Sequence, residues 1–265
     1  MIRVGINGAC GRMGARLVSL VPQEKDMRIV AALESAAHPA IGRDVGSANN
    51  GPEVGVVVAS KLRDGVDVLI DFSTPESVMG RAHECASFKT ALVAGTTGLG
   101  EKHLRALKEA ARKIPCLAAP NMSLGVNLLF KIAPQIAAAL GQEYDIEIVE
   151  AHHRFKKDAP SGTAMKLAEE IARAMNGDPK KRLNYGRHGI VRERSKGQIG
   201  VHAVRAGDIV GDHTIIYGCL GERIELTHRA HSRDTFCRGA IAAARFLIGK
   251  KPGMYRMEDV LGLRD

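Results

Sequence analysis

The chain has 265 residues, 45% of them hydrophobic, with no tryptophan, 4% aromatic residues and a formal net charge of +9 from 38 basic and 29 acidic side chains. That length supports one or two domains with real cores, and so few aromatic rings leave little for bases to stack on, so small anions rank above nucleic acid as partners of the positive charge. No apolar run approaches the ~20 residues of a membrane span, the start carries no export signal, and five scattered cysteines fit reduced thiols, so a cytoplasmic protein without zinc or disulfides is expected.

Residues 2–7 form a short, nearly all-apolar run with the look of a buried parallel strand. Gly8-Ala9-Cys10-Gly11-Arg12-Met13-Gly14 follows, then a helical pattern over 15–20, then a second strand over 28–33 that ends in Glu34. Strand, glycine turn, helix, strand and terminal acid stand at the separations of a dinucleotide fold, in which glycines admit a pyrophosphate and the acid binds ribose hydroxyls. The glycine spacing is G-x-x-G-x-x-G, a variant of the commoner form, and alone it would mark only a tight turn. Arg12 offers a cation to phosphate, and Cys10 is read as a small residue rather than a reactive one.

Residues 35–53 read as a loop with little regular structure. Strands are predicted over 66–72, 90–94 and 115–119, with a helix start at Ser73-Thr74-Pro75-Glu76 and a helix over 101–113. This alternation predicts an α/β fold with a Rossmann-type parallel sheet and ligands beyond the carboxyl ends of its strands. Gly8–Gly14, Glu34, Gly95–Thr97 and Ala119–Met122 all fall at such ends.

An apolar segment over 124–140 predicts a buried helix, and a strand over 144–149 feeds Glu150-Ala151-His152-His153-Arg154-Phe155-Lys156-Lys157-Asp158-Ala159-Pro160-Ser161-Gly162-Thr163. Two histidines, several cations and a Ser-Gly-Thr turn opening a helix over 163–175 combine a proton donor with an anion clamp. The bland alternative is a solvated basic loop. Further along, Lys180, Lys181, Arg182, Arg187, Arg192, Arg194 and Lys196 are opposed within their own stretch only by Glu193. Runs over 199–205, 208–217 and 223–229, without helical pattern between them, predict successive antiparallel strands, hence a second α+β domain with a mixed, largely antiparallel sheet. Histidines 202, 213, 228 and 231 are read as packed or surface residues, and no metal is expected. A helix over 235–248 is expected to pack back on the first domain, which puts the boundaries at 1–123 with 233–265, and 124–232.

The glycine loop, Gly95-Thr96-Thr97-Gly98, the stretch from Glu150 to Thr163 and Arg205-Ala206-Gly207-Asp208-Ile209-Val210-Gly211 occur together in this order. Together they resemble the 4-hydroxy-tetrahydrodipicolinate reductase family, also called dihydrodipicolinate reductase, over essentially the whole chain. The resemblance implies a homotetramer that reduces a cyclic imine dicarboxylate with NADH or NADPH in lysine and diaminopimelate biosynthesis. It implies catalytic positions at His152 and Lys156, and substrate binding by His153, Gly162 and Thr163. Cofactor contacts are implied at Gly8, Ala9, Cys10, Gly11, Arg12, Met13, Glu34, Ser35, Gly95, Thr96, Thr97, Ala119, Pro120, Asn121 and Met122.

Two departures from the family pattern stand out. Phe155 replaces a familiar histidine, and Ser35 occupies the place of an arginine that often grips the 2′-phosphate of NADP, so NADH is expected to serve at least as well as NADPH. The competing readings are another nicotinamide-dependent reductase or amino-acid dehydrogenase on the same fold, and a redox-sensing or nucleic-acid-binding protein. The loop from Glu150 to Thr163 favours the dicarboxylate reductase over the first, and the missing helix-turn-helix argues against the second.

Overall fold

The computed structural model describes residues 1–263 and divides into two compact units, Met1–Leu124 with Asp234–Asp265, and Gly125–Arg233. In the first unit, β1 (Ile2–Asn7), α1 (Arg12–Leu20), β2 (Met27–Leu33), α2 (Val45–Ala48), β3 (Val58–Ala59), β4 (Val68–Asp71), α3 (Pro75–Phe88), β5 (Ala91–Ala94), α4 (Glu101–Ala111) and β6 (Pro115–Ala118) follow in order. The C-terminal elements α8 (Asp234–Leu247), β12 (Gly253–Tyr255) and α9 (Met257–Val260) complete it. The sheet order is β12-β6-β5-β4-β1-β2-β3, with every pairing parallel. The order in which successive strands are added reverses between β1 and β4, which is the switch point where an open parallel sheet leaves a crevice at its carboxyl end.

Alternation builds the layers. In β4, Val68 and Ile70 join Leu17 and Val18 of α1 and Ala240 and Ala244 of α8 in one core, whereas Leu69 joins Val78 of α3 and Leu107 of α4 in the other. Strands covered on both faces need apolar side chains at every position, and this is why β4 and β5 read as continuous runs. The stretch 35–53 is more ordered than its composition suggests. Asp44 caps α2, and its carboxylate accepts from the N–H groups of Gly46, Ser47, Val54, Gly55 and Val56 at 2.8–3.2 Å. One acid thus organises a segment with almost no hydrophobic pattern.

The second unit contains α5 (Leu124–Leu140, of which Leu124 itself falls in the first unit), β7 (Asp145–His152), α6 (Gly162–Ala174), α7 (Pro179–Arg182), β8 (Leu183–Tyr185), β9 (Ile199–Arg205), β10 (Gly211–Cys219) and β11 (Glu222–Ala230). Its sheet order is β11-β10-β7-β9-β8. The run of successive antiparallel strands expected over 199–229 is corrected here: β9 pairs in parallel with β7 and β8, and only β7–β10 and β10–β11 are antiparallel. The crossover through α6 brings β9 back alongside β7 in the same direction, so β7 separates β9 from β10.

Ile146, Ile148, Val201, Ile215 and Tyr217 point to the face covered by Phe130 and Ala133 of α5 and Leu167 and Ile171 of α6. Tyr217, fully buried, donates its hydroxyl to the Ala133 carbonyl at 2.8 Å. The segment Leu124–Glu143 is long and apolar enough to cross a membrane, which corrects the expectation that no run approaches that length. Its apolar stripe, with Val126, Leu129, Phe130, Ala133 and Ala137, is the cover of the second unit's core.

The basic cluster over 180–196 also differs from its appearance in sequence. Arg187 makes a two-pronged contact with Glu147 at 2.8 and 2.9 Å, Arg194 reaches Asp145 at 2.6 Å and Glu147 at 3.0 Å, and Lys196 faces Glu143 at 3.6 Å. Acids at positions 143, 145 and 147 thus pair with Arg187, Arg194 and Lys196.

Candidate active site

In the first unit the glycine turn is shaped by close approach. Gly8 has φ +76°, and a Cβ there would lie 2.5 Å from the Phe72 carbonyl oxygen; a Cβ on Gly14 would lie 2.0 Å from the Gly8 carbonyl oxygen. Neither position admits a side chain, so turn and helix nest tightly and the first-turn N–H groups of α1 are left with no side-chain cap. Glu34, just past β2, accepts from the Cys10 N–H at 2.8 Å, which fixes its carboxylate against the turn. Cys10 is half-buried, and burial, with the neighbouring Glu34 charge, pushes its thiol up, the opposite of what a reactive thiolate needs.

At the ends of β4 and β5, a Cβ on Gly95 would sit 2.4 Å from the Phe72 ring. Thr96 turns its hydroxyl inward, donating to Asp71 at 2.6 Å and accepting from the Ser73 N–H at 2.9 Å. Burial pushes the Asp71 carboxyl up, opposed by bonds from Thr96, Asn7 and Ser73. Of the sequence-predicted contacts, Gly11, Arg12, Ser35, Thr97 and Pro120 are exposed. Met13 and Ala119 are half-buried against the core and Asn121 caps the Ser123 N–H, whereas Met122 is buried in the core, where its carbonyl abuts Gly239.

In the second unit the covered face of the sheet changes from apolar to polar along its length. On β7 the row runs Ile146, Ile148, Glu150, His152, and on β10 it runs Tyr217, Ile215, His213. His213 pairs with Glu150, and Arg205 of β9 pairs with His152. Glu150 is completely buried, yet Arg205 grips both of its oxygens at 2.8 Å, the Ser161 N–H donates to it at 3.0 Å, and His152 Nδ1 lies 2.6 Å away. Burial alone would raise the Glu150 carboxyl; those hydrogen bonds overcome it and hold the group below its usual range. An ionised carboxylate only accepts, so His152 donates from Nδ1 and keeps Nε2 for other work.

Burial lowers the His152 imidazole, Glu150 opposes this, and the Lys156 and Arg205 charges add to the lowering. His213 packs edge-on against His152 with ring centroids 5.3 Å apart, and burial pushes it down to about 3, so it stays neutral beside it. Lys156 reaches Asp158 at 2.9 Å, and the loop is stapled to the strands by Ala206 N–H to His152 O and Arg154 N–H to Gly207 O, at 3.0 and 3.1 Å. Ser161 caps α6 by accepting from the Ala164 N–H at 3.2 Å, leaving Gly162 exposed and Thr163 half-buried in the first turn. His153 is half-buried, with an Nδ1 atom that lacks a protein partner.

Glu150, Arg205 and His213 carry no role in the sequence reading. The signal was present as a period of two, since each continues a row of inward-facing residues into its polar end, but it becomes legible only when the strands are paired.

Family models for the N-terminus and the C-terminus of dihydrodipicolinate reductase match residues 2–122 and 125–261. A 4-hydroxy-tetrahydrodipicolinate reductase from Syntrophus aciditrophicus is 46% identical, and one from Anaeromyxobacter dehalogenans 47%, each alignment covering all of this chain and 100% and 99% of the relative. Among solved structures, a dipicolinate-bound dihydrodipicolinate reductase from Paenisporosarcina sp. TG-14 aligns with a TM-score of 0.78 and 29% identity over 97% of both chains. An amine dehydrogenase from Mycobacterium smegmatis shares the fold, with a TM-score of 0.59 at 12% identity over 97% of this chain and 95% of the other. An oxidoreductase fold, a glycine cradle, a histidine–lysine loop and full-length similarity agree: the chain belongs to the dihydrodipicolinate reductase family.

Proposed function

We propose that the protein reduces 4-hydroxy-tetrahydrodipicolinate, or the dihydrodipicolinate derived from it, to tetrahydrodipicolinate in lysine and diaminopimelate biosynthesis. The observation that carries this reading is the polar end of the second unit's sheet, where a histidine with one nitrogen already committed ends β7 and the loop that follows bears a lysine and a capped helix start. The turn from Gly8 to Gly14 fits a dinucleotide: its glycines pack turn against helix, and α1 opens with no side-chain cap, which leaves its N-terminus to a pyrophosphate. When bound, the dinucleotide supplies hydride. Gly8 to Met13 would take its pyrophosphate, Glu34 a ribose, and Gly95 to Thr97 with Ala119 to Met122 its remaining length, with backbone rather than side chain engaged at Thr96 and Met122.

In this reading Lys156 and the N–H groups of Gly162 and Thr163 hold a carboxylate, and His153 holds the ring's other polar groups. His152 then quenches the electron density left on the ring by handing over a proton from Nε2. The imidazole, lowered by burial, gains that proton as a doubly negative ligand arrives, because opposite charge favours the imidazolium. NADH serves at least as well as NADPH: the Glu34 carboxylate, pinned by the Cys10 N–H, repels a 2′-phosphate, and Ser35 brings no cation. A cytoplasmic homotetramer is part of the same proposal.

The test is a nicotinamide-absorbance assay with freshly generated substrate. His152→Gln and Lys156→Ala are each expected to cut turnover by ~10²-fold or more, as loss of an acid or an anion clamp does. Near-normal turnover in both would refute the site assignment. The same assay should give kcat/KM with NADH equal to or above that with NADPH; a clear preference for NADPH would overturn the coenzyme reading alone.

A further inference from the structure

We propose that Glu150, held by Arg205, is the positioning residue of this site, fixing His152 as the Nδ1–H tautomer and locking the proton donor to the start of α6 through one carboxylate. The inference rests on the reading of His152 as proton donor given above, and it goes beyond that reading because Glu150 and Arg205 touch neither substrate nor cofactor in it.

Three observations carry the proposal. Glu150 is fully buried and has four donors converging on it: two Arg205 nitrogens, His152 Nδ1 and the Ser161 N–H. Its oxygens are divided between two tasks. Oε2 takes the His152 ring, and Oε1 takes the backbone of Ser161, whose hydroxyl caps the helix that offers Gly162 and Thr163. Acid and anion clamp therefore share one reference point, and neither can shift without breaking a bond to the other's support. Finally, a Cβ on Gly211 would lie 3.0 Å from His152 Nε2, so β10 comes in bare at that edge of the ring, where a side chain would press on the working nitrogen.

Arg205 is part of the device because a buried carboxylate without a cation would become protonated and could no longer orient the ring. It is itself anchored, with its other terminal nitrogen contacts running to the Val204 and Asp158 carbonyls at 2.7 and 2.5 Å. The logic is that of a carboxylate orienting the imidazole of a catalytic triad, with the carboxylate setting the tautomer rather than taking the proton.

The groups facing His152 are Glu150 on its own strand, Lys156 on the following loop, Arg205 on β9 and His213 on β10, with Asp158 paired to Lys156 and its carbonyl to Arg205. Glu150 raises the imidazole and Arg205 and Lys156 lower it, but Arg205 also keeps Glu150 ionised, so loss of either partner withdraws the charge that favours the imidazolium. Glu150→Gln, which keeps the shape and an oxygen for Ser161, should lower kcat by at least about tenfold with KM within about threefold. Its alkaline limb in kcat, where the donor loses its proton, should shift to lower pH, because the imidazolium is less favoured. Arg205→Met, which leaves Glu150 buried without its cation and therefore protonated, should shift that limb the same way. A merely structural role would move neither limb in a signed way.

The experiment is a kcat and KM profile over pH for the full-length protein, Glu150→Gln, Arg205→Met and His152→Gln, with NADH binding and far-UV circular dichroism measured on each. Nitrogen-15 imidazole spectra of the unmodified protein accompany it. Expected are an Nδ1-protonated neutral tautomer for His152, loss of turnover in His152→Gln, and a shift of the alkaline limb to lower pH in both partner variants. An Nε2-protonated tautomer, or a Glu150→Gln protein with unchanged kcat and unchanged limb while His152→Gln is inactive, would overturn the proposal and leave the site reading standing. Full turnover in His152→Gln would instead remove the site reading, and this inference with it. Should Glu150→Gln lose its fold, the tautomer spectrum and the Arg205→Met limb decide the matter without it.

Discussion

Burial divides the acids of this chain into two kinds. Asp71 and Glu150 are both fully buried, but Asp71 is surrounded by neutral donors and is pushed up, whereas Glu150 faces a guanidinium and is held down. The first is a structural knot beneath the cofactor cradle, tying Asn7, Ser73 and Thr96 together at 2.5–2.8 Å. Thr96→Val removes a donor from that buried carboxylate and the acceptor of the Ser73 N–H. It should cost about 1–3 kcal/mol of stability in urea unfolding and weaken NADH binding, with little effect on ligands of the second unit. An unchanged midpoint would mean that the Asp71 cluster has spare donors. Gly8, Gly14 and Gly95 were legible from sequence as glycines of a tight turn and a strand end; the inward direction of the Thr96 hydroxyl was not, because a threonine beside a glycine turn looks the same whether it faces solvent or core.

At the scale of elements, β7 is the strand that everything in the second unit uses. One side of it carries Glu150 and His152, and the other carries Glu147, which collects Arg187, Arg194 and His202. Burial alone would raise Glu147, but Arg187, His202 and Arg194 hold it at about 2, below its ordinary 4.5. A folded-state pKa below the unfolded one gives stability that is fully present above about pH 4.5 and is lost as pH falls toward 2. Glu147→Gln should therefore lower stability at neutral pH by on the order of 1–3 kcal/mol and flatten acid unfolding between those values. Acid titration followed by circular dichroism measures both, and a curve parallel to the parent's would refute it. The stretch over 180–196 looked like free positive charge because its acids lie some forty to fifty residues earlier, at and just before β7, and sequence adjacency does not reveal pairing at that separation.

For the whole molecule, the second unit's sheet is covered by α5 and α6 on one face only, and Val149, Val204 and Ile216 alternate onto the other among Glu147, Thr214 and Glu225. A half-covered mixed sheet with apolar side chains on its open face suits association between copies of the chain. The proposed homotetramer predicts a particle of four 28.4 kDa chains by sedimentation velocity, and Ile216→Glu should shift it to smaller species. A monomer at working concentration would exclude the assembly.

The sequence by itself determined the parallel sheet, the glycine cradle and the loop bearing His152 and Lys156, because each is written in local chemistry: continuous apolar strands, positions closed to any side chain, and a tight run of titratable groups. Short elements such as α2, β3 and β12 escaped it, being too brief to establish a period and held instead by one capping carboxylate or one neighbouring strand. Only the tertiary structure decided that β9 lies beside β7, and with that placement Arg205, fifty-five residues from Glu150, becomes its cation. Side-chain period tells which face a residue takes, but strand pairing, set by where the crossover helix can pack, tells which residue it meets there.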